Sequence, residues 1–204
     1  MSMFRSLFAS LVVPSVQEGE REAAIAALEA LGGSIRVIAA NTDEMEAAFH
    51  LSGTELTDEG LVHLADIPRL RWLNLRGTKI TDAGIEAIAR CTELTRLHLE
   101  KTAITDAGLE KLIPLAQLEY LNLYGTAVSD AGLESLARIP SLRKLYLWQT
   151  QVTAAGVAQL RERLPECEVV VGDELEPPKP AEAEGEAPAD GETPPPADGG
   201  GDGN

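Results

Sequence analysis

His98 and Glu100 stand two residues apart in LTRLHLEKT, a spacing that sets both on one face of an extended strand. A histidine beside a carboxylate is the beginning of a proton-transfer pair. The rest of such machinery is missing. His50 shares the repeat position of His98 but lies two units earlier, roughly 10 Å away if the units are adjacent strands, too far for a direct dyad. No outward serine or cysteine adjoins the pair as a nucleophile, and no three or four ligands converge for a metal. Cys91 falls at the same position as the apolar Ile67, Leu115 and Ile139, so it reads as a small buried hydrophobe, and with Cys167 it gives two free thiols rather than a disulfide framework. The recurrent glycines follow the repeat and form no phosphate-binding loop. No enzyme activity, cofactor or metal is expected.

What remains is recognition, and the residues suited to it are gathered by a 24-residue period. LRWLNLRGTKITDAGI, LTRLHLEKTAITDAGL, LEYLNLYGTAVSDAGL and LRKLYLWQTQVTAAGV begin at Leu70, Leu94, Leu118 and Leu142, and a degenerate unit precedes them with Glu46, Phe49 and Leu51 at the leucine positions. A period of this length means that each unit must stack on its neighbours to bury its apolar face. Period-two alternation within each Leu-x-x-Leu-x-Leu turns Leu73 and Leu75, Leu97 and Leu99, Leu121 and Leu123, and Leu145 and Leu147 inward. Their neighbours point outward in three columns: Ala48, Trp72, Arg96, Tyr120, Lys144; His50, Asn74, His98, Asn122, Tyr146; and Ser52, Arg76, Glu100, Tyr124, Trp148.

All three tyrosines and both tryptophans of the chain occupy this grid of 15 positions, where chance would place fewer than one. Tyr, Trp and Arg anchor interfaces because they bury large area with few rotatable bonds and keep a polar tip for the partner. The candidate binding residues are therefore Trp72, Asn74, Arg76, Arg96, His98, Glu100, Tyr120, Asn122, Tyr124, Lys144, Tyr146 and Trp148. Trp72, Arg96, Tyr120 and Lys144 alternate ring and cation and are expected to stack on one another. Stabilisation of the sheet alone is the competing reading of the same rings.

The elements that must hold the grid follow from the remaining columns. Thr54, Thr78, Thr102, Thr126 and Thr150 sit where the chain leaves each strand, and their hydroxyls are expected to bond backbone groups freed there. The Thr-Asp or Ser-Asp pairs beginning at Thr57, Thr81, Thr105 and Ser129 read as helix caps with an acid at the positive helix end, whereas the fifth unit has Thr153-Ala154. Gly60, Gly84, Gly108, Gly132 and Gly156 are expected to permit close packing between repeats.

These units resemble the leucine-rich repeat family, in the variety LxxLxLxxTxITDxGLxxLxxL shared by the ribonuclease-inhibitor-like and F-box-associated branches and by short bacterial versions. The resemblance covers about 120 residues. It implies an α/β solenoid with a parallel sheet on the concave face, helices on the convex face, and binding on the concave side.

The expected organisation is a lead-in at 1–14, an amino-terminal cap at 15–45, repeats at 46–165, a closing strand at 166–172 and a tail at 173–204. In the cap, SVQEGEREAAIAALEAL reads as an amphipathic helix ended by Gly32-Gly33, followed by two short strands. One extra residue before Cys167 leaves the register of the closing strand open. The lead-in has one basic residue, Arg5, and an apolar stretch of signal-core size without an A-x-A site; a cytoplasmic location is expected, with export as the alternative. No run of residues is long and apolar enough to span a bilayer.

Of the net charge of −16, the tail carries ten acids against Lys179 alone, which leaves the preceding residues at −7. With seven prolines and six glycines it is expected to be disordered. Neither part offers the basic patch that nucleic acid requires. The expected protein is a monomeric, non-catalytic module for a protein or peptide partner, with a structural or surface spacer and a glycan-binding module as alternatives.

Overall fold

The computed structural model describes residues 16–49 and 56–172. The lead-in, the tail, and the positions of His50, Ser52 and Thr54 lie outside these described residues. Helix α1, Val16–Ala30, buries Ala24 and Leu28 at an i, i+4 spacing and carries Glu18 in its first turn. It ends where Gly32 takes φ +86° and the Gly33 amide returns to the Leu28 carbonyl at 2.9 Å.

The chain then forms β1, Ser34–Val37, antiparallel to β2, Met45–Ala48, the two strands expected in the cap. From β2 onward the sheet is parallel, through β3 (Leu70–Asn74), β4 (Arg96–His98), β5 (Tyr120–Asn122), β6 (Lys144–Tyr146) and β7 (Glu168–Val170), in sequence order. Leu73, Leu97, Leu121, Leu145 and Val169 are mutual partners across β3 to β7, and the four leucines have no accessible surface. Strand β7 keeps the 24-residue offset, so the extra residue is absorbed in the turn ahead of it: Cys167 enters the core where Leu142 stands one repeat earlier, while Val169 stays opposite Leu145.

Between the strands run a 3-10 helix, Asp58–Asp66, and the short helices α2 (Ile85–Ile88), α3 (Asp106–Glu110), α4 (Asp130–Leu136) and α5 (Ala154–Arg163). They cover one face of the sheet and leave the other to solvent. Each chain exit from β3, β4, β5 and β6 passes through a left-handed residue, namely Gly77, Lys101, Gly125 and Gln149, at φ +69°, +54°, +68° and +55°. The next residue is the column threonine. Thr78, Thr102, Thr126 and Thr150 each donate their hydroxyl to the carbonyl three residues back at 2.7 Å, as the column of threonines predicts.

The Thr-Asp pairs do more than cap. Thr105 and Ser129 accept from the amides of Ala107 and Ala131 at 3.3 Å, so the capping role is present, although Thr57 makes no side-chain cap bond. The aspartates, expected to serve their own helix, accept instead from the following repeat. Asp58, Asp82, Asp106 and Asp130 each take the backbone amide of Thr81, Thr105, Ser129 or Thr153 at 2.8 Å through Oδ1, and its hydroxyl at 2.6–2.7 Å through Oδ2. The column is a staple between successive repeats. Ala154 in the fifth unit has a physical reason, since no further Thr-Asp unit follows it to be stapled.

The glycines answer the same contact. A Cβ placed on Gly84, Gly108, Gly132 or Gly156 would collide with Oδ1 of Asp58, Asp82, Asp106 or Asp130. Close packing between repeats is thus realised as room for the preceding carboxylate.

Cys91 is 8% exposed, and burial pushes its thiol up to about 11 from 9.0. A pKa raised on folding adds stability that is complete below pH 9 and lost as pH climbs through about 11. Burial raises the Cys167 thiol as well. At pH 8 the native protein is expected to resist thiol alkylation and to yield both cysteines only after denaturation; rapid labelling of Cys91 in the folded state would contradict this packing.

Candidate partner-binding face

Registers of β3 to β6 place the first column, Trp72, Arg96, Tyr120 and Lys144, in direct lateral pairing, and the second, Asn74, His98, Asn122 and Tyr146, beside it. Arg76, Glu100, Tyr124 and Trp148 lie just past the strand ends. Backbone bonds from Gly77 to Glu100, Lys101 to Tyr124 and Gly125 to Trp148, at 2.8–3.0 Å, carry the lateral order into this third column. All 12 predicted residues are therefore brought onto one surface, on the side of the sheet away from the helices.

The rings connect diagonally rather than down the columns. Trp72 lies 6.1 Å from His98 between centroids, His98 4.8 Å from Tyr120, and Tyr120 5.5 Å from Tyr146, a zigzag through four strands with every pair tilted. Tyr124 and Trp148 make a second pair at 5.6 Å. Tilted contacts at these separations are the favourable aromatic geometry, so the rings brace one another.

The cations depart in part from the expected alternation. Arg96 stands over Trp72 at 5.7 Å, as anticipated, but Lys144 turns to Tyr146 on its own strand at 5.5 Å instead of to Tyr120, and pairs with Glu168 at 3.1 Å. The hydrogen bond to Glu168 raises the Lys144 pKa. Lys101, absent from the predicted set, reaches over Tyr124 at 5.6 Å; the signal for it is its place in the left-handed column, one residue beyond Glu100. Arg76, Arg96 and Lys101 are exposed and form no ion pair among the described residues.

Glu100 differs most from expectation. Predicted to point outward, it is 5% exposed, and Oε1 meets His98 Nδ1 at 2.9 Å and accepts from Asn122 Nδ2 at 2.8 Å. His98 is thereby oriented by the carboxylate that the sequence sets two residues beyond it, on its own strand exit. Glu100 Oε2 and Trp72 Nε1 are buried and make no hydrogen bond among the described residues. Asn74 and Asn122 also shape the turns, each accepting from the amide two residues on, that of Arg76 at 3.1 Å and of Tyr124 at 3.0 Å. Burial raises the Tyr120 pKa, with the Asn122 side chain opposing that shift.

Chemically, the His98–Glu100 pair can fix a ring and accept further hydrogen bonds. Cys91 and Cys167 are free thiols buried in the core. Among the described residues no group of three or more His, Cys, Asp or Glu side chains could hold a metal ion, and no helix is long and apolar enough to cross a membrane.

Comparison with known proteins agrees with this architecture. Residues 70–89, 90–112 and 117–137 match the family model described as Leucine Rich repeat. No curated protein matches the chain. Similar solved structures include an internalin from Listeria monocytogenes, 26% identical over 53% of this chain and 30% of that one, with a TM-score of 0.46. The PEPR1–AtPEP1 structure is 20% identical over 63% of this chain and 16% of that one, with a TM-score of 0.37. A leucine-rich repeat protein from Leptospira interrogans is 18% identical over 57% of this chain and 34% of that one, with a TM-score of 0.41. The chain thus spans about a third or less of the length of each. The repeat register, the parallel sheet alternating with short helices, and the match over three consecutive units agree on a leucine-rich repeat fold.

Proposed function

We propose that the chain is a non-catalytic module that binds a protein or peptide across the concave face of its sheet. The observation that carries this reading is the braced ring ladder Trp72–His98–Tyr120–Tyr146, with Tyr124 and Trp148 beside it and Arg76, Arg96 and Lys101 exposed among them. Rings already held by neighbours lose little further freedom on binding, which favours affinity. Trp148 is 50% exposed and is the ring with most area left to bury. Three cations without carboxylate partners among the described residues favour a partner that is acidic where it meets this face. The Thr and Asp columns support the ribonuclease-inhibitor-like type of unit, whose binding lies on the same side.

The test is a comparison of wild type with Arg96→Ala/Tyr124→Ala/Trp148→Ala, all at exposed or half-buried positions, in capture from lysate of the source organism followed by affinity measurement with the purified captured protein. At least a tenfold loss of affinity with an unaltered circular dichroism spectrum is expected, because aromatic and Arg anchors typically contribute over 1 kcal/mol each. Equal affinity for the same partner would sink the proposal.

A further inference from the structure

We infer that the segment 173–204 of this same chain docks in cis on the concave face, over Trp148 and Tyr124 and among Arg76, Arg96 and Lys101, and that an incoming partner must displace it. This rests on the reading of that face as the recognition surface, and it adds its regulation.

The first support is where the chain goes. Strand β7 pairs with β6, and at its end Gly172 lies so close beneath the Trp148 indole that a Cβ there would overlap the ring at Cδ1 and Nε1. Gly172, the last described residue before the segment, therefore stands at the aromatic edge of the face. The contact also explains why a glycine stands at 172, since any side chain would evict the tryptophan.

The second is charge. Ten acids and one lysine make 173–204 the most acidic stretch of the protein, and Asp173, Glu174 and Glu176 come at its start. Across β6 and β5 from that start lie Lys101, Arg96 and Arg76, exposed and without ion pairs among the described residues. Opposite charges held on one chain meet at high effective concentration, on the order of millimolar for a short flexible connection, so a weak contact suffices.

The third is shape and reach. Four strand spacings separate β7 from β3, roughly 19 Å. The eight residues 173–180, extended at about 3.1 Å each, cover roughly 25 Å. Pro177, Pro178 and Pro180 fall within that reach. Prolines in an extended left-handed helix are favoured ligands of grooves lined by aromatic rings, because little conformational freedom is left to lose. Three acids followed by three prolines give the segment groups for both the cations and the rings.

The experiment compares the full chain with a variant ending at Gly172, using the Trp148 indole N–H resonance as probe, and adds a synthetic 173–196 peptide to the truncated protein. Expected are a Trp148 resonance that differs between the two chains, and a saturable shift of the truncated protein toward the full-length position as peptide is added. Binding should weaken about tenfold or more at about 0.5 M salt, where screening shortens the reach of charge to a few ångströms. It should also weaken in the Arg96→Glu/Lys101→Glu variant, whose changes are at exposed positions. The peptide should produce little shift in the full chain, where the site is occupied.

Identical Trp148 resonances in the two chains, or peptide binding that ignores Arg96→Glu/Lys101→Glu, would overturn the inference. A difference that grows with protein concentration would assign the segment to a neighbouring copy and overturn docking in cis. Because no partner protein enters these measurements, their failure leaves the proposed function standing, and a failure of the capture experiment leaves the docking result intact.

Discussion

Replacing Leu121 with alanine is expected to destabilise the protein by about 2–5 kcal/mol, as large-to-small changes in a close-packed core do. Leu121 is fully buried in β5, and its register partners Leu97 and Leu145 press on it from both sides. A solenoid has no second core to compensate. Each repeat touches its neighbours alone, so a cavity at the centre weakens two interfaces and separates the amino-terminal units from the carboxy-terminal ones. Val169→Ala is the contrast: it lies in the last described strand, with a strand on one side only and 7% of its surface exposed, and should cost less. Urea denaturation reads both, as a fall in midpoint at constant slope if the whole array still unfolds together. A Leu121→Ala protein with the wild-type midpoint would mean that the leucine ladder is not the core.

The same ladder explains how much could be foreseen. Alternation of leucines determines which side of the sheet a residue joins, because a slip of one residue would expose every leucine at once. Hence the 12 candidate positions share one side of the sheet, and β7 finds its register despite an inserted residue. What alternation does not contain is the side-chain rotamer. Lys144 has two rings within reach, Tyr120 and Tyr146, and the position of Glu168 on the next strand decides between them. Glu100 was legible as an outward position but not as a buried one, since its burial goes with the contacts that His98 and Asn122 make to its carboxylate. Gly77 and Gly125 announce the left-handed turn by residue type, whereas Lys101 and Gln149 share it through their place in the repeat alone. The aspartate column was visible, yet a helix start and the next repeat were both plausible destinations for its carboxylates. Only the stacking distance shows which one is reached.

That stacking makes a second large effect measurable. Asp106 accepts the Ser129 amide at 2.8 Å and the Ser129 hydroxyl at 2.6 Å, while the same hydroxyl oxygen accepts from the Ala131 amide at 3.3 Å. Removing the carboxylate by Asp106→Ala leaves a partly buried amide unpaired and frees the hydroxyl that starts α4, at an expected cost of about 1–3 kcal/mol. Gly132→Ala attacks the contact from the other side. A methyl group there would strike Asp106 Oδ1 and stand 2.9 Å from Leu109 Cδ1 and 3.1 Å from Val128 Cγ1. Helix propensity favours alanine by up to about 1 kcal/mol, but crowding of this kind costs about 1–3 kcal/mol, so a net loss is expected. The two effects should not add. With the carboxylate gone, the added methyl meets mainly flexible side-chain ends, so Asp106→Ala/Gly132→Ala should be about 1 kcal/mol or more better than the sum of the single variants. Ala154→Asp is the control, because no following Thr-Asp unit offers it an amide and a hydroxyl, and it should leave stability nearly unchanged. Strict additivity across the cycle would show that the glycine column does not exist to admit the aspartate, and that repeats are held by leucine packing alone.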